Sequence, residues 1–222
     1  KDPKAKQAIV QLINEVCSLV PKEQMPYIHI GTDEVRHRDE YVNADYLPAL
    51  HQAVHDNDRE VIGWWKGMLL KGDTRQIQQT WASTSPSNGF RHIDSRSNYV
   101  NHMDAFDCPV RLFFQQVCRV PHGDKRNLGG ILAYWPDIRI ADEQAGIRIA
   151  PVYLSMVAYA EAVWTGIPKD RREYWAKLPP AGSKEYKAFV DFENRLAEQR
   201  DRFFSGKPFL FVKTAHIPWK LL

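Results

Sequence analysis

Hydrophobic positions along the 222-residue chain follow two patterns. In the first pattern, apolar residues recur every three or four positions, which is typical of the buried face of a helix. It predicts helices at 5–20, 151–164 and 184–204. The second pattern consists of short apolar runs bounded by polar or glycine-containing segments, which are typical of strands. It predicts strands near 27–33, 60–65, 76–81, 92–95 and 128–135, and a further strand at 207–212. The alternation of strands and helices indicates an α/β fold with a parallel sheet.

The first predicted strand ends in the most informative stretch of the chain, residues 29–34, which read His-Ile-Gly-Thr-Asp-Glu. Adjacent strand residues point to opposite faces, so Asp33 and Glu34 can share a pocket only if the chain leaves the strand there, which Gly31 makes easy. Two close carboxylates in a partly apolar pocket cannot both ionise freely, and one of them becomes a candidate proton donor near neutral pH. A solvated acidic turn at a strand end explains these residues equally well.

Aromatic residues stand where several of the later strands should end. Trp64 and Trp81 close the second and third runs, Tyr99 follows the fourth, and Trp135 closes the fifth. One buried tryptophan at a strand end is ordinary packing. Several aromatic residues at equivalent positions indicate a sugar-binding site. The C–H faces of sugars stack on aromatic rings, while the sugar hydroxyls form hydrogen bonds with acidic and amide side chains. Barrels of the α/β type carry their chemistry at this end of the strands.

These motifs, in this order, resemble the second half of the catalytic barrel of family 20 glycoside hydrolases, the β-N-acetylhexosaminidases. The resemblance runs from about Tyr27 to Trp164, and residues 29–34 resemble the family's His-x-Gly-Gly-Asp-Glu signature with Thr32 in place of the second glycine. It implies a partial (β/α)8 TIM barrel, containing strands four to eight, with a C-terminal helical extension. Residues 1–180 would be the C-terminal half of the barrel domain, and 181–222 the extension and the start of a following segment.

The resemblance implies a chemistry as well: removal of terminal β-linked N-acetylhexosamine by substrate-assisted retaining catalysis. Glu34 would protonate the leaving oxygen, Asp33 would orient the acetamido nitrogen, and Tyr99 would hydrogen-bond the acetamide oxygen. The nucleophile then belongs to the substrate, and no cofactor is expected. The residues expected to bind the sugar are His29, Trp64, Trp81, Asn101, Trp135 and Asp137, of which Asn101 stands where an aspartate is usual and Asp137 where a glutamate is usual.

Two other functions fit the same residues. One is a retaining glycosidase of different specificity, in which a second carboxylate such as Asp137 is the nucleophile. The other is a non-catalytic sugar-binding module that keeps the aromatic pocket without turnover. The expected partners are N-acetylhexosamine-containing glycans, and the resemblance implies a periplasmic or extracellular location. We interpret the chain as a piece of a larger enzyme, and we expect exposed barrel edges to promote homo-oligomers.

Composition excludes several classes of function. The net charge of +3 is small and scattered, so no nucleic-acid partner is expected. No apolar run approaches 18 residues, so no membrane span is expected. The three cysteines contain no CxxC motif and indicate neither a disulfide framework nor a zinc site. His51 and His55 have the spacing of a metal-binding pair, but Gln52 replaces the glutamate of HExxH. A solvated helix face is therefore favoured, and no metal is expected.

Overall fold

The computed structural model describes residues 2–35, 45–65, 67, 70, 72–81, 86, 89–96, 98–100, 107–115, 124–135, 142, 152–166, 174 and 177–203. The chain forms two compact units. Unit 1 contains Lys1–Ser97 and Asp124–Gly129, and unit 2 contains Asn98–Gly123 and Gly130–Leu222. The predicted strand at 207–212 lies outside the described residues. The predicted division into 1–180 and 181–222 stays a prediction.

Helices and strands alternate along the described residues. The helices are α1 (Pro3–Leu19), α2 (Tyr46–Asp56), α3 (Asp107–Phe114), α4 (Val152–Thr165) and α5 (Lys184–Phe203). The strands are β1 (Tyr27–His29), β2 (Glu60–Trp65), β3 (Ile77–Thr80), β4 (Arg91–Asp94) and β5 (Asn127–Gly130). None of the described helices is long and apolar enough to cross a membrane.

The strands form one sheet in the order β1-β2-β3-β4-β5, which is also their order in the sequence. Pairing is parallel from β1 to β4, with Ile28 opposite Val61, Ile62 opposite Ile77 and Gln78 opposite His92. Parallel neighbours need a crossover connection, and α2 supplies one between β1 and β2. The α/β fold with a parallel sheet is therefore confirmed.

Two strands are shorter than the hydrophobic pattern predicts. The first ends at His29 instead of residue 33, and the fifth ends at Gly130 instead of residue 135. After the first strand the backbone turns to positive φ at Gly31 (75°), which is incompatible with an extended strand. Gly129 (116°) also has a positive φ, but it lies inside β5. The pattern located the strands correctly, but it did not contain the dihedral angles that end them.

The core of unit 1 lies between α1, α2 and the first strands of the sheet. Ile13 and Cys17 of α1 pack with Val54 of α2 and Val61 of β2. The buried Arg59 donates hydrogen bonds to the carbonyls of Cys17 (3.3 Å) and Val20 (2.8 Å). It thereby satisfies acceptors that the C-terminus of α1 would otherwise leave unpaired. Helix α1 is consequently fixed to the segment that leads into β2.

Aromatic residues from α3 and α5 dominate the core of unit 2. Phe113 lies with its ring centroid 4.9 Å from that of Phe114, 5.3 Å from that of Phe189 and 5.0 Å from that of Phe192. These separations are in the range favoured by aromatic pairs. Phe113 and Phe114 belong to this core, since they are 6% and 0% exposed.

Candidate active site

The acidic pair lies on a tight turn directly after β1. Gly31, Thr32 and Glu34 have φ values of 75°, 88° and 48°. The chain therefore leaves the strand before Asp33, as the sequence predicts. Both Asp33 and Glu34 are exposed. The partly apolar surroundings expected for them are not formed by the described residues of unit 1.

Thr32 occupies a backbone conformation that a β-branched residue rarely adopts. Its buried hydroxyl has no hydrogen-bond partner among the described residues. Neighbouring groups hold the turn in place: the Trp64 N–H donates to the Gly31 carbonyl (3.0 Å), and a Cβ on Gly67 would overlap the Thr32 and Trp64 carbonyls. A strained residue persists where its surroundings fix the backbone, and such positions are common at functional sites.

His29 connects the turn to the neighbouring strands. Its Nδ1 accepts a hydrogen bond from the Gly31 N–H (3.0 Å), and its side chain also hydrogen-bonds that of Gln79 on β3. Gln79 in turn donates from Nε2 to the Ser95 hydroxyl (2.7 Å). Since Nδ1 of His29 is an acceptor, the neutral ring carries its proton on Nε2. The network thus specifies one tautomer of His29.

His29 is exposed at the surface, but partial loss of hydration at its ring favours the neutral form. Loss of hydration lowers the pKa of the ring, and the Gln79 hydrogen bond and the negative charge of Asp33 oppose this shift only partly. The ring also contacts Trp64 edge to face, with centroids 5.1 Å apart. The structure therefore brings His29, Asp33 and Trp64 together at the end of β1 and β2. Trp81 follows β3 and is partly buried.

Polar residues fill the buried ends of β3 and β4, a feature that sequence reasoning missed. Gln79, Thr80, Asp94 and Ser95 are at most 4% exposed. Thr80 Oγ1 donates to Asp94 Oδ1 (3.2 Å), and the Arg96 N–H donates to the same oxygen (2.7 Å). Buried polar groups are costly unless paired, and these hydrogen bonds pair the Thr80 hydroxyl, the Asp94 carboxylate and the Arg96 N–H. The signal was the run Ile-Gln-Gln-Thr, which has a strand's position but little apolar content.

Tyr99 lies in unit 2, in a short extended segment. It forms a parallel bridge with Ala133, and backbone hydrogen bonds join Val100 to Ala133 (3.0 Å) and Ala133 to Asn98 (2.9 Å). The fully buried Asn98 side chain donates to the Tyr159 hydroxyl of α4 (2.9 Å) and to the Ile131 carbonyl (3.1 Å). Tyr99 is partly buried. Its backbone is therefore fixed on both sides.

The remaining predicted sugar-binding residues belong to unit 2. Trp135 lies two residues beyond the bridge at Ala133 and is 64% exposed. Its indole thus has the exposed face that stacking on a sugar requires. Asn101 and Asp137 lie outside the described residues.

The prediction that this face of α2 is exposed to solvent is wrong at His51, which is only 1% exposed. Both His51 and His55 contact Asp73, which lies in the segment before β3. The i, i+4 spacing correctly placed the two histidines on one helix face. It did not identify Asp73, because that residue comes from a separate segment of the chain.

Comparison with known proteins agrees with this architecture. No family model matches the chain, and no curated protein sequence matches it. Among solved structures, the crystal structure of Flavobacterium johnsoniae chitobiase (FjGH20) matches 73% of this chain with a TM-score of 0.55 and 17% identity. The chain is therefore similar in fold to part of this chitobiase. Both the resemblance inferred from the motifs and the predicted partial (β/α)8 barrel are thereby confirmed at the level of the fold. The chain spans 29% of the length of the chitobiase chain.

Proposed function

We propose that this chain is part of a glycoside hydrolase that removes terminal β-linked N-acetylhexosamine. The observation that carries the proposal is the acidic pair Asp33-Glu34, held on a strained turn at the end of β1 beside His29 and Trp64. The fold likeness to a family 20 chitobiase supports it, since barrels of this type carry their chemistry where the strands end.

In the proposed mechanism, Glu34 is the general acid. It protonates the glycosidic oxygen as the bond to the anomeric carbon breaks, while the acetamide oxygen of the substrate attacks that carbon. Glu34, now ionised, then removes a proton from the water that opens the cyclic intermediate. Its exposed carboxylate is accessible to both the leaving group and water.

Asp33 and Tyr99 would act on the acetamide group. As the acetamide oxygen attacks, positive charge develops on the acetamide nitrogen, and the Asp33 carboxylate stabilises it. The Tyr99 hydroxyl orients the acetamide oxygen through a hydrogen bond. Both interactions strengthen as charge develops, so they lower the barrier more than they tighten substrate binding.

His29 would position the acidic turn. Its ring is hydrogen-bonded to the Gly31 N–H and to the Gln79 side chain, and Gln79 is hydrogen-bonded to Ser95. This chain of hydrogen bonds ties the residues next to the acids to β3 and to the end of β4. The stacking surface for the sugar would come from Trp64, Trp81 and Trp135, and Asn101 and Asp137 would contact its hydroxyls.

The test is a comparison of two aryl glycosides with the whole enzyme that contains this chain. We expect hydrolysis of an aryl N-acetyl-β-glucosaminide and only background hydrolysis of the matching β-glucoside, which lacks the acetamide. Equal turnover of both would favour a retaining glycosidase with a protein nucleophile. Binding of N-acetylglucosamine without turnover of either would favour a sugar-binding module.

A further inference from the structure

A cluster of two histidines and one aspartate lies in unit 1, among side chains that the proposed hydrolysis does not use. His51 Nδ1 lies 2.7 Å from Asp73 Oδ2, and His55 Nε2 lies 2.8 Å from the same oxygen. The three side chains are 2%, 7% and 8% exposed. Their ligand atoms all lie within 4.8 Å of one another. Three groups that commonly bind metals therefore converge on one point.

The hydrogen bonding of His55 leaves a conflict at this point. Its Nδ1 lies 3.1 Å from the Arg59 carbonyl, which can only accept, so Nδ1 carries the proton. In the neutral ring, Nε2 then presents a lone pair to the lone pairs of Asp73 Oδ2. Two acceptors at 2.8 Å repel each other unless a positive charge lies between them. A carbonyl bound to the second ring nitrogen is also what commonly orients a metal-bound histidine.

His51 Nδ1 and His55 Nε2 are the ring atoms that lie next to Asp73 Oδ2. Imidazole nitrogens and carboxylate oxygens are donor atoms that transition-metal ions commonly bind.

We propose that His51, His55 and Asp73 form a binding site for one divalent transition-metal ion of the Zn²⁺ or Co²⁺ class. Two imidazoles and one carboxylate favour such ions over Ca²⁺ and Mg²⁺, which prefer oxygen ligands. Tetrahedral coordination at zinc separates neighbouring ligand atoms by about 3.3 Å, so the present contacts would open by about half an ångström. Arg75 lies 3.8 Å from the other oxygen of Asp73, but it is 64% exposed and its repulsion is screened by water.

The ion would join two separate parts of unit 1. His51 and His55 belong to α2, whereas Asp73 precedes β3. A ligand that binds only the folded state raises the melting temperature with its concentration. The role proposed for the ion is therefore structural, and it is independent of the proposed hydrolase function.

The experiment titrates the purified, metal-free protein with Zn²⁺ and with Co²⁺. We expect one ion per chain at this site, visible Co²⁺ bands of four-coordinate intensity, and a rise in melting temperature of about 5–10 °C at saturating Zn²⁺. His55→Gln and Asp73→Asn should abolish the bands and the rise. Asp56→Asn, an exposed change on the same helix, should preserve both.

A ligand replacement keeps the test decisive if those variants fold poorly. His55→Cys should bind Co²⁺ with a new thiolate-to-metal charge-transfer band, which a merely structural residue would not produce. Absence of stoichiometric binding by the unmodified protein would overturn the proposal. Binding that survives both His55→Gln and Asp73→Asn would overturn it as well.

Discussion

At the scale of single residues, the unusual feature is the turn that carries Asp33 and Glu34. Three of its residues have positive φ, and only one of these is a glycine. Thr32 is the residue by which the chain departs from the family signature, and it lies where a glycine would be free of strain. The proposed acid is thus fixed by a conformation that the sequence itself does not favour.

Replacement of Glu34 by Gln should remove the proposed proton donor while preserving its shape. We expect the turnover of the whole enzyme to fall by about 10²–10⁴-fold on a substrate with a poor leaving group. The loss should be much smaller for an activated aryl glycoside, which needs little protonation. Glu23→Gln, an exposed change away from the turn, is the matched control. Equal losses on both substrates would remove Glu34 from the role of acid.

Replacement of Thr32 by Gly should stabilise the protein relative to Thr32→Ala. Both changes remove the buried hydroxyl, but only glycine relieves the left-handed backbone. Relief of about 1–2 kcal/mol of strain, less the entropy of glycine in the unfolded chain, leaves about 0.5–1 kcal/mol. Urea denaturation of the two variants measures the difference. An alanine variant as stable as the glycine variant would show that Thr32 carries no backbone strain.

At the scale of secondary-structure elements, the extended segment 98–100 is fixed to α4 through Asn98. This side chain donates to Tyr159 and to the Ile131 carbonyl, and it stands next to the proposed catalytic Tyr99. Through these hydrogen bonds, Asn98 fixes the backbone beside Tyr99 without itself taking part in the proposed reaction.

Asn98→Ala should lower both stability and turnover. Loss of its buried hydrogen bonds costs about 1–3 kcal/mol in the free energy of unfolding. If Tyr99 acts on the acetamide, kcat should fall more than KM rises. Gln7→Ala, an exposed change on α1, should change neither quantity. Loss of stability with unchanged kcat would show that this segment does not position a catalytic group.

The sequence was sufficient to locate these elements but not to define their ends or their networks. Periodicity predicted α1, α4 and α5 and all five strands to within a few residues. It could not show that the chain would leave β1 before Gly31, because dihedral angles are not contained in a hydrophobic pattern. Gln79 and Asp73 were missed for another reason: their partners, His29 and His55, are distant in the chain, and only the folded structure brings them together.

At the scale of the whole molecule, the chain corresponds to 29% of the chitobiase that it resembles in fold. Large apolar side chains remain exposed in both units, among them Leu19 of α1 (79%) and Trp164 of α4 (90%). Exposed apolar patches are typical of surfaces that contact another surface. The expected homo-oligomer and the interpretation as a piece of a larger enzyme both stay predictions.

Binding of a thiazoline mimic of the cyclised intermediate tests the central claim most directly. The mimic reproduces the product of acetamide attack, and transition-state mimics bind about 10²–10⁸-fold more tightly than substrates. We predict that the whole enzyme binds it far more tightly than N-acetylglucosamine, and that Asp33→Asn and Tyr99→Phe each weaken the binding of the mimic more than that of the sugar. A thiazoline that binds no better than N-acetylglucosamine would contradict substrate-assisted catalysis by this site.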